Sequence, residues 1–388
     1  MTKIAFVGTG FVADYYMTTL VNHPKLSLAG VWDRNADRLA QFGAFHNVHM
    51  YADLVALLAD AETNIIVNLT TPESHYDINR AALEAGKNVY CEKPLAMQVD
   101  EAEMLIQLAE EKNLTLCAAP ANALSDAFEA VATLLGAGKI DQPRLVYAEM
   151  EDGPVFRANW QDWRSYSGAP WPGVHEFEIG CTLEHAGYGL SWLVRLFGPV
   201  VHLAAFSALT FPDKGPGTDN LEQGPDFSVG CLTFESGVVA RITCGLAAAR
   251  DRSLSVMGDG GTLVLRDLWD NRSAIHLTTG DEETFLQKVL SRIEVQLGRA
   301  LPIRLVAGRK IVYTERVTSA HLPNYPSQID FVRGIAVQAD ALAKGETPFF
   351  IGHVALHLTE LALALNAGER DYKPYTHFEF TPSWNMNN

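Results

Sequence analysis

Nowhere does the chain run for about 18 residues without a charge or a helix breaker, the length a membrane span needs. The nearest approach, Leu193 to Phe211, contains Arg195, His202 and the Gly198-Pro199 break. Cysteine is scarce and unpatterned: Cys91, Cys117, Cys181, Cys231 and Cys244 are an odd set without a C-x-x-C pair. That argues against a disulfide framework and against a metal site, and makes a reducing cytoplasm the expected compartment. Positive charge is also in short supply. Lys and Arg number 30 against 46 Asp and Glu, a formal net charge of −16, which excludes a broad nucleic-acid-gripping surface. Internal repeats and low-complexity tracts are missing too. Lys3 and the apolar residues after it imitate a leader peptide, but Gly8, Gly10 and Asp14 interrupt the apolar core too early.

The remaining composition is that of a folded protein. A length of 388 residues, 48% apolar and 20% charged, points to two globular domains. Residues 1–120 alternate short apolar strands (Lys3–Val7, Leu26–Asp33, Ile65–Leu69, Asn88–Cys91, Thr115–Ala118) with helical stretches (Phe11–His23, Asn35–Phe42, Ile78–Ala85, Val99–Lys112). This rhythm predicts βαβ units and a doubly wound parallel sheet of the Rossmann type. The rhythm changes over 121–388. A helix at Phe128–Ala137 and a strand at Arg144–Glu151 precede an aromatic, breaker-rich stretch and a helix at Thr182–Phe197. Strand-like runs follow at Val201–Ala205, Phe227–Phe234, Val238–Cys244, Leu254–Met257 and Gly261–Leu265, with a hairpin turn at Ser236-Gly237. The second domain is therefore expected to be α+β, with an open, mostly antiparallel sheet. Phe285–Leu297 reads as an inserted amphipathic helix. Ile329–Ala343 and Val354–Ala367 read as terminal helices free to pack back on the first domain.

Gly8-Thr9-Gly10-Phe11-Val12-Ala13 is G-x-G-x-x-A between the first strand and the first helix. The first glycine permits a tight turn, the second lets backbone approach a pyrophosphate, and the small sixth residue allows close helix–strand packing. The helix N-terminus then favours phosphate. Asp33 stands 23 residues after Gly10, at the end of the second strand, where an acid can accept from both ribose hydroxyls. The set predicts NAD, with Phe11 and Val12 lining the turn. Arg34 leaves NADP open, because a guanidinium can pair with a 2′-phosphate.

Thr70-Thr71-Pro72-Glu73-Ser74-His75 and Cys91-Glu92-Lys93-Pro94 follow in order, each at the end of a strand. With the glycine-rich turn, these segments resemble the glucose–fructose oxidoreductase and inositol dehydrogenase family (Gfo/Idh/MocA). Gly138-Lys139-Ile140, Pro143-Arg144, Trp163-Arg164 and Ser327-Gln328-Ile329-Asp330-Phe331 extend the resemblance over nearly the whole chain. The resemblance implies an NAD(P)-dependent sugar or polyol dehydrogenase, with Thr70, Thr71, Pro72, His75 and Glu92 near the cofactor. It also implies a homodimer or homotetramer paired through the open sheet.

Lys93, at the carboxyl end of a strand, can hydrogen-bond a substrate hydroxyl and stabilise the alkoxide that forms as hydride leaves. The family's second catalytic segment has the form D-x-G-x-H. Here it reads Glu184-His185-Ala186-Gly187-Tyr188, with glutamate for the acid and tyrosine for the usual histidine. The base is therefore Tyr188, if a nearby ammonium lowers its pKa from about 10, or His185, which titrates near neutrality unaided. Helical spacing puts Glu184, His185 and Tyr188 on one face, and Gly187 and Gly189 suggest close approach of cofactor or substrate there. Arg157, Trp163, Arg164 and Trp171 offer aromatic faces and guanidinium groups to a carbohydrate ring, and Asn122 offers an amide. A purely structural role is open to each of these, and Glu176 and Glu178 stand nearby as supporting acids. A different chemistry, an NAD-dependent glycoside hydrolase working by transient C3 oxidation and elimination, would also use the 184–188 cluster.

Overall fold

The computed structural model describes residues 1–279, 285–297, 308–313, 321–324, 327–382 and 384. The strands β1 (Thr2–Val7), β2 (Leu26–Trp32), β3 (Ile65–Asn68), β4 (Asn88–Cys91) and β5 (Leu116–Ala118) form one sheet in the order β2-β1-β3-β4-β5. All its pairs are parallel. Ile4, Ala5, Phe6 and Val7 are completely buried, which is how a parallel strand covered on both faces reads in sequence. Helices α1 (Ala13–Leu20), α2 (Ala36–His46), α3 (Leu54–Ala59), α4 (His75–Glu84) and α5 (Val99–Glu111) intervene in the chain. The path steps from β1 to β2 on one side and then crosses to β3 on the other. The switch point, where open α/β sheets bind ligands, is thus the gap beyond β1 and β3. Both the glycine-rich turn and Thr70 lie there.

Sequence patterning missed α3, a helix of six residues capped by the Asp53 carboxylate on the Ala56 amide. It also placed the start of α4 late, because His75 begins that helix as a buried polar residue.

Helix α6 (Asp126–Gly136), capped by the Ser125 hydroxyl on the Phe128 amide, leads to β6 (Pro143–Glu151). Helices α7 (Gly173–Ile179) and α8 (Cys181–Phe197) precede the strands β7 (Val200–Ala208), β8 (Phe227–Phe234), β9 (Val239–Gly245), β10 (Leu254–Gly258), β11 (Gly261–Leu265) and β12 (Ile275–Thr279). Helix α9 (Phe285–Leu297), the short β13 (Arg309–Lys310), α10 (Arg333–Lys344) and α11 (His353–Ala367) complete the described elements. The second sheet has the order β13-β12-β11-β10-β6-β9-β8-β7. Its pairs are antiparallel except one: β6 runs parallel to β9. The sheet is mostly antiparallel, as expected; the one parallel pair arises because β6 inserts between β10 and β9 from far upstream. β12 and β13 extend the sheet beyond the strands expected. The hairpin from β8 to β9 turns at Gly237, as its Ser-Gly pair predicts.

Helix α8 lies on this sheet, and α11 packs against both α8 and α5. Helix α10 also reaches the first sheet: the Gln338 amide donates to the Val89 carbonyl at 3.0 Å and the Thr115 hydroxyl at 2.7 Å. It begins at Arg333, four residues later than expected. The tail thus bonds to both sheets' layers and holds α8 above the carboxyl end of β4. Among the described residues no helix is long and apolar enough to cross a membrane. No group of three potential metal ligands occurs among them either.

Candidate active site

The first half of the site is built on backbone. Gly8 has φ +99°, and a Cβ there would stand 2.7 Å from the Leu69 carbonyl carbon and oxygen. Only glycine lets β1 turn this close to β3. A Cβ on Gly10 would meet nothing within 4 Å, so the turn opens onto free space above the helix N-terminus. Ala13 is fully buried, as close packing of α1 requires. The residues present therefore fit a dinucleotide. Phe11 and Val12 are half-buried beside the turn.

Asp33 directly follows β2, but its carboxylate is mostly engaged within the chain. Oδ2 accepts from the Thr9 amide at 2.7 Å and the Thr9 hydroxyl at 2.9 Å, and Oδ1 accepts from the Asn35 amide at 2.8 Å. With about four acceptor positions on a carboxylate, roughly one remains, so Asp33 shapes the turn as much as it faces a ribose. Arg34 is exposed. Arg38, which sequence reading passed over, donates to the Thr9 carbonyl at 2.5 Å and the Ser167 hydroxyl at 3.1 Å. The loop around Ser167 also bonds the fully buried Asp14 carboxylate, whose other oxygen faces His46 at 2.5 Å. The second half of the chain thus reaches onto the first turn of α1.

Two side chains expected near ligands are engaged within the chain. His75 is completely buried, with Nδ1 2.6 Å from the Pro94 carbonyl and Nε2 3.1 Å from the Thr70 carbonyl. As a neutral ring it donates to one of these carbonyls and packs against the other, joining the Thr70-Thr71-Pro72 loop to the loop after Lys93. Asn122 is 2% exposed and donates to the Tyr188 and Leu268 carbonyls at 3.0 and 3.3 Å, while its oxygen accepts from Ser191. It fastens α8 and has no free amide for a substrate. Thr70 bonds the Asn68 side chain at 2.6 Å, and Pro72 opens a short 3-10 turn.

The chemical centre lies where β4 ends beneath α8. The Lys93 ammonium donates to Glu184 Oε2 at 2.8 Å and lies 5.7 Å from the centre of the Tyr188 ring. Gly187 lies beneath its stem. A Cβ at that position would be 3.6 Å from Lys93 Cγ, so the lysine stem crosses the helix over the glycine. Gly189 faces the other way, against Ile242 and Met150 of the sheet. The close packing that these glycines predict is thus met by protein neighbours, Lys93 on one side and the sheet on the other.

Glu92 is 8% exposed, accepts from the Tyr16 hydroxyl at 2.6 Å and has its pKa raised by burial against the opposing pull of Lys93. Burial, then the Glu184 charge, push Glu176 well above the usual carboxylate range, while Trp171 hydrogen-bonds it. Burial also acts on Glu184, but the Lys93 ammonium overrides it and holds the carboxyl below its usual value. Burial opposes the charge on Lys93, and Glu184 and Glu92 more than compensate, so its pKa rises. Glu178 is exposed and apart from this group.

Tyr188 does not meet the condition set for it as a base. Burial and then the carboxylates Glu92, Glu184, Glu176 and Asp152 push its hydroxyl well above 10, the reverse of the expected fall. His185 is 5% exposed, and burial lowers its pKa from 6.5, so the ring is neutral at pH 7. Its Nε2 faces Asp152 at 3.5 Å, and Nδ1 is buried without a hydrogen-bond partner. Asp152, Arg252 and Trp269 escaped sequence reading. The only signal was the place of Asp152, one residue past β6.

The aromatic stretch divides. Trp171 packs against Trp163 with ring centres 5.0 Å apart and planes tilted by 57°, and it joins the centre through Glu176. Arg164 is exposed and donates to the Gln161 and Trp163 carbonyls of its own loop at 2.7 and 2.8 Å. Arg157 is exposed over Phe156 and Phe211, at 5.6 and 5.8 Å. Among the described residues neither guanidinium pairs with the acids around Lys93.

Comparison with known proteins agrees with this layout. Residues 2–119 match the oxidoreductase family with an NAD-binding Rossmann fold, and residues 128–264 match the GFO/IDH/MocA C-terminal domain. An uncharacterized oxidoreductase of Synechocystis is 26% identical over 273 residues, 68% of this chain and 71% of that protein. D-apiose dehydrogenase of Paraburkholderia graminis is 26% identical over 284 residues, 72% of this chain and 70% of its own. The crystal structure of an NAD-binding oxidoreductase from Klebsiella pneumoniae superimposes with a TM-score of 0.73 over 96% of this chain and 98% of that one, at 17% identity.

Proposed function

The chain belongs to the GFO/IDH/MocA family of NAD-binding oxidoreductases, and from that premise we propose that it oxidises a secondary hydroxyl of a sugar, sugar derivative or polyol. The observation that carries the reading is the Lys93 ammonium, buried at the carboxyl end of β4 and paired with Glu184 at 2.8 Å beside Tyr188. When bound, NAD supplies the hydride acceptor. Lys93 donates to the substrate oxygen and stabilises the negative charge that grows there as hydride leaves. Glu184 holds Lys93 in place. Neutral His185 takes the hydroxyl proton, and Tyr188, kept protonated, donates a hydrogen bond. Trp163 and Trp171 present apolar faces to the ring.

Asp33 supports NAD over NADP, since a carboxylate repels a 2′-phosphate; exposed Arg34 is the counterweight. Affinity for the two cofactors decides it, and a clear NADP preference overturns this part. Five free cysteines support a reducing cytoplasm. Exposed Tyr147, Val201, Phe206 and Val239 on strands of the second sheet support a homodimer or homotetramer through its open face, which light scattering tests.

The central test is a panel of sugars, sugar derivatives and polyols, D-apiose included, read by NADH formation. Turnover with members of the panel is expected. No NADH with any of them, together with aglycone release from a glycoside, would overturn the proposal in favour of the hydrolytic chemistry, which no specific observation favours.

A further inference from the structure

Behind His185 stands a chain of groups that the proposed hydride transfer does not by itself require. Asp152 presents Oδ2 to His185 Nε2 at 3.5 Å and Oδ1 to Arg252 Nη1 at 3.5 Å. Arg252 is 2% exposed, pairs with Asp267 at 3.1 Å, and lies 4.0 Å from the centre of the Trp269 ring. Trp269 in turn packs on Tyr188 at 4.7 Å and on His185 at 5.8 Å. A buried guanidinium therefore stands behind the carboxylate at ion-pair distance, itself between an acid and an indole.

A neutral imidazole carries one donor and one acceptor, and the partner at one nitrogen decides which is which. A carboxylate only accepts. Facing Nε2, it selects the ring form with the proton there and leaves Nδ1 as the bare acceptor. His185 Nδ1 is the atom found buried with no partner. Buried polar groups are nearly always satisfied, and a substrate hydroxyl is a partner that would satisfy this acceptor.

We propose that Asp152 is a positioning residue: anchored by Arg252, it holds the proton of His185 on Nε2 and so leaves Nδ1 to receive the substrate's hydroxyl proton. The inference rests on the dehydrogenase reading above. In the step, the hydroxyl O–H bond breaks as the N–H bond forms on Nδ1, while the carbon-bound hydrogen leaves with its electron pair to NAD. The resulting imidazolium has Asp152 beside its other N–H. The charged groups acting on His185 are Asp152 and Glu184, which favour the cation, and Lys93, which opposes it.

Asp152→Asn is the telling change, because Arg252 fixes its direction. The guanidinium can only donate, so the amide oxygen turns to Arg252 and the amide N–H₂ turns to His185. A donor facing Nε2 forces the proton onto Nδ1, and the acceptor is lost. The test is nitrogen-15 NMR of the whole chain labelled in histidine, with the His185 signal identified by its loss in His185→Gln. We expect the Nε2–H form in the wild type and the Nδ1–H form in Asp152→Asn. We also expect a fall in kcat of at least about a hundredfold, the scale of general-base catalysis, with KM little changed.

Asp152→Ala supplies the pH readout. Loss of the charge that raises the His185 pKa moves the acidic limb of kcat/KM to lower pH, which a merely structural loss would not do. An Nδ1–H ring in the wild type, or an unchanged ring form in Asp152→Asn, overturns the proposal. The wild-type spectrum alone decides the ring form should the variants not fold. Because it needs no substrate, an absence of NADH with every carbohydrate would defeat the dehydrogenase reading separately.

Discussion

Replacing Lys93 with methionine keeps the stem that crosses Gly187 and removes the ammonium. Unit charges 2.8 Å apart attract by about 6 kcal/mol at an effective dielectric of about 20. Desolvation of two groups only 12% and 19% exposed offsets much of this, and breaking a buried pair by deleting one partner costs about 3 kcal/mol. The loss depends on pH. Glu184 has its pKa lowered in the fold, so the stability it contributes is present above its unfolded value and lost as pH falls through the folded one. Without Lys93, burial raises that pKa instead.

Lys93→Met is therefore expected to cost about 3 kcal/mol at pH 8 and progressively less toward pH 4, where Glu184 protonates. Adding Glu184→Gln should bring the double variant within about 1 kcal/mol of wild type. Urea unfolding at a series of pH values measures all three chains. In parallel, kcat should fall by about a hundredfold to a thousandfold while NAD affinity stays within about fivefold. An equal loss of stability at every pH, or no recovery in the double variant, would refute the electrostatic account. Undiminished turnover would remove Lys93 from the chemistry.

Gly8→Ala should cost about 3 kcal/mol or more, from its positive φ and the contact with Leu69; a change below about 0.5 kcal/mol in urea unfolding would show that the turn relaxes. Asn122→Ala should cost about 2 kcal/mol by removing its bonds to the Tyr188 and Leu268 carbonyls, with substrate KM changed less than about twofold. A tenfold rise in KM would return Asn122 to the substrate. Tyr188→Phe should lower kcat by less than about tenfold and leave the pH profile in place; a loss beyond a hundredfold with a vanished limb would make Tyr188 the base. Glu176 has its pKa raised in the fold, so the stability it contributes is full below about 4.3 and lost as pH rises through its folded pKa. Glu176→Gln should therefore gain stability over wild type at pH 8 and match it at pH 4 in melting experiments; a parallel shift at both would sink that account.

The parallel half of the fold was legible because its signals are local. Strand β4 begins and ends at Asn88 and Cys91, as its composition indicates, and the glycine-rich turn sits where β1 ends. What stayed hidden depended on distance along the chain. That β6 pairs in parallel with β9 is settled by strands some ninety residues apart, as Leu145 opposite Val239 shows. The site divided in the same way. Lys93 and Glu184 follow from motifs, whereas His75 and Asn122 carry side chains fit for ligand contact but spend them on backbone carbonyls. Only the three-dimensional arrangement distinguishes those uses. Arg252 gave no sign at all, since its partners Asp152, Asp267 and Trp269 are gathered by the fold.

The tyrosine at 188 and the histidine at 185 are best understood together. An imidazole at 188 would stand over the Lys93 ammonium, whose charge opposes its protonation. A phenol ring accepts that neighbour favourably on its face, at 5.7 Å, and gives up little by staying protonated among Glu92, Glu176 and Glu184. Position 185 has the complementary surroundings. It lies one helical step from 188, its ring is neutral, and its Nε2 side is turned toward an acid that stabilises the cation once formed. On the proposed reading, the two functions that one histidine could combine are separated. Tyr188 shields and orients the ammonium and donates to substrate, and His185 carries the proton. The arrangement needs an acid behind 185 only if the histidine is the carrier, which is why Asp152, held by a guanidinium with no route to solvent, is the residue on which the assignment turns.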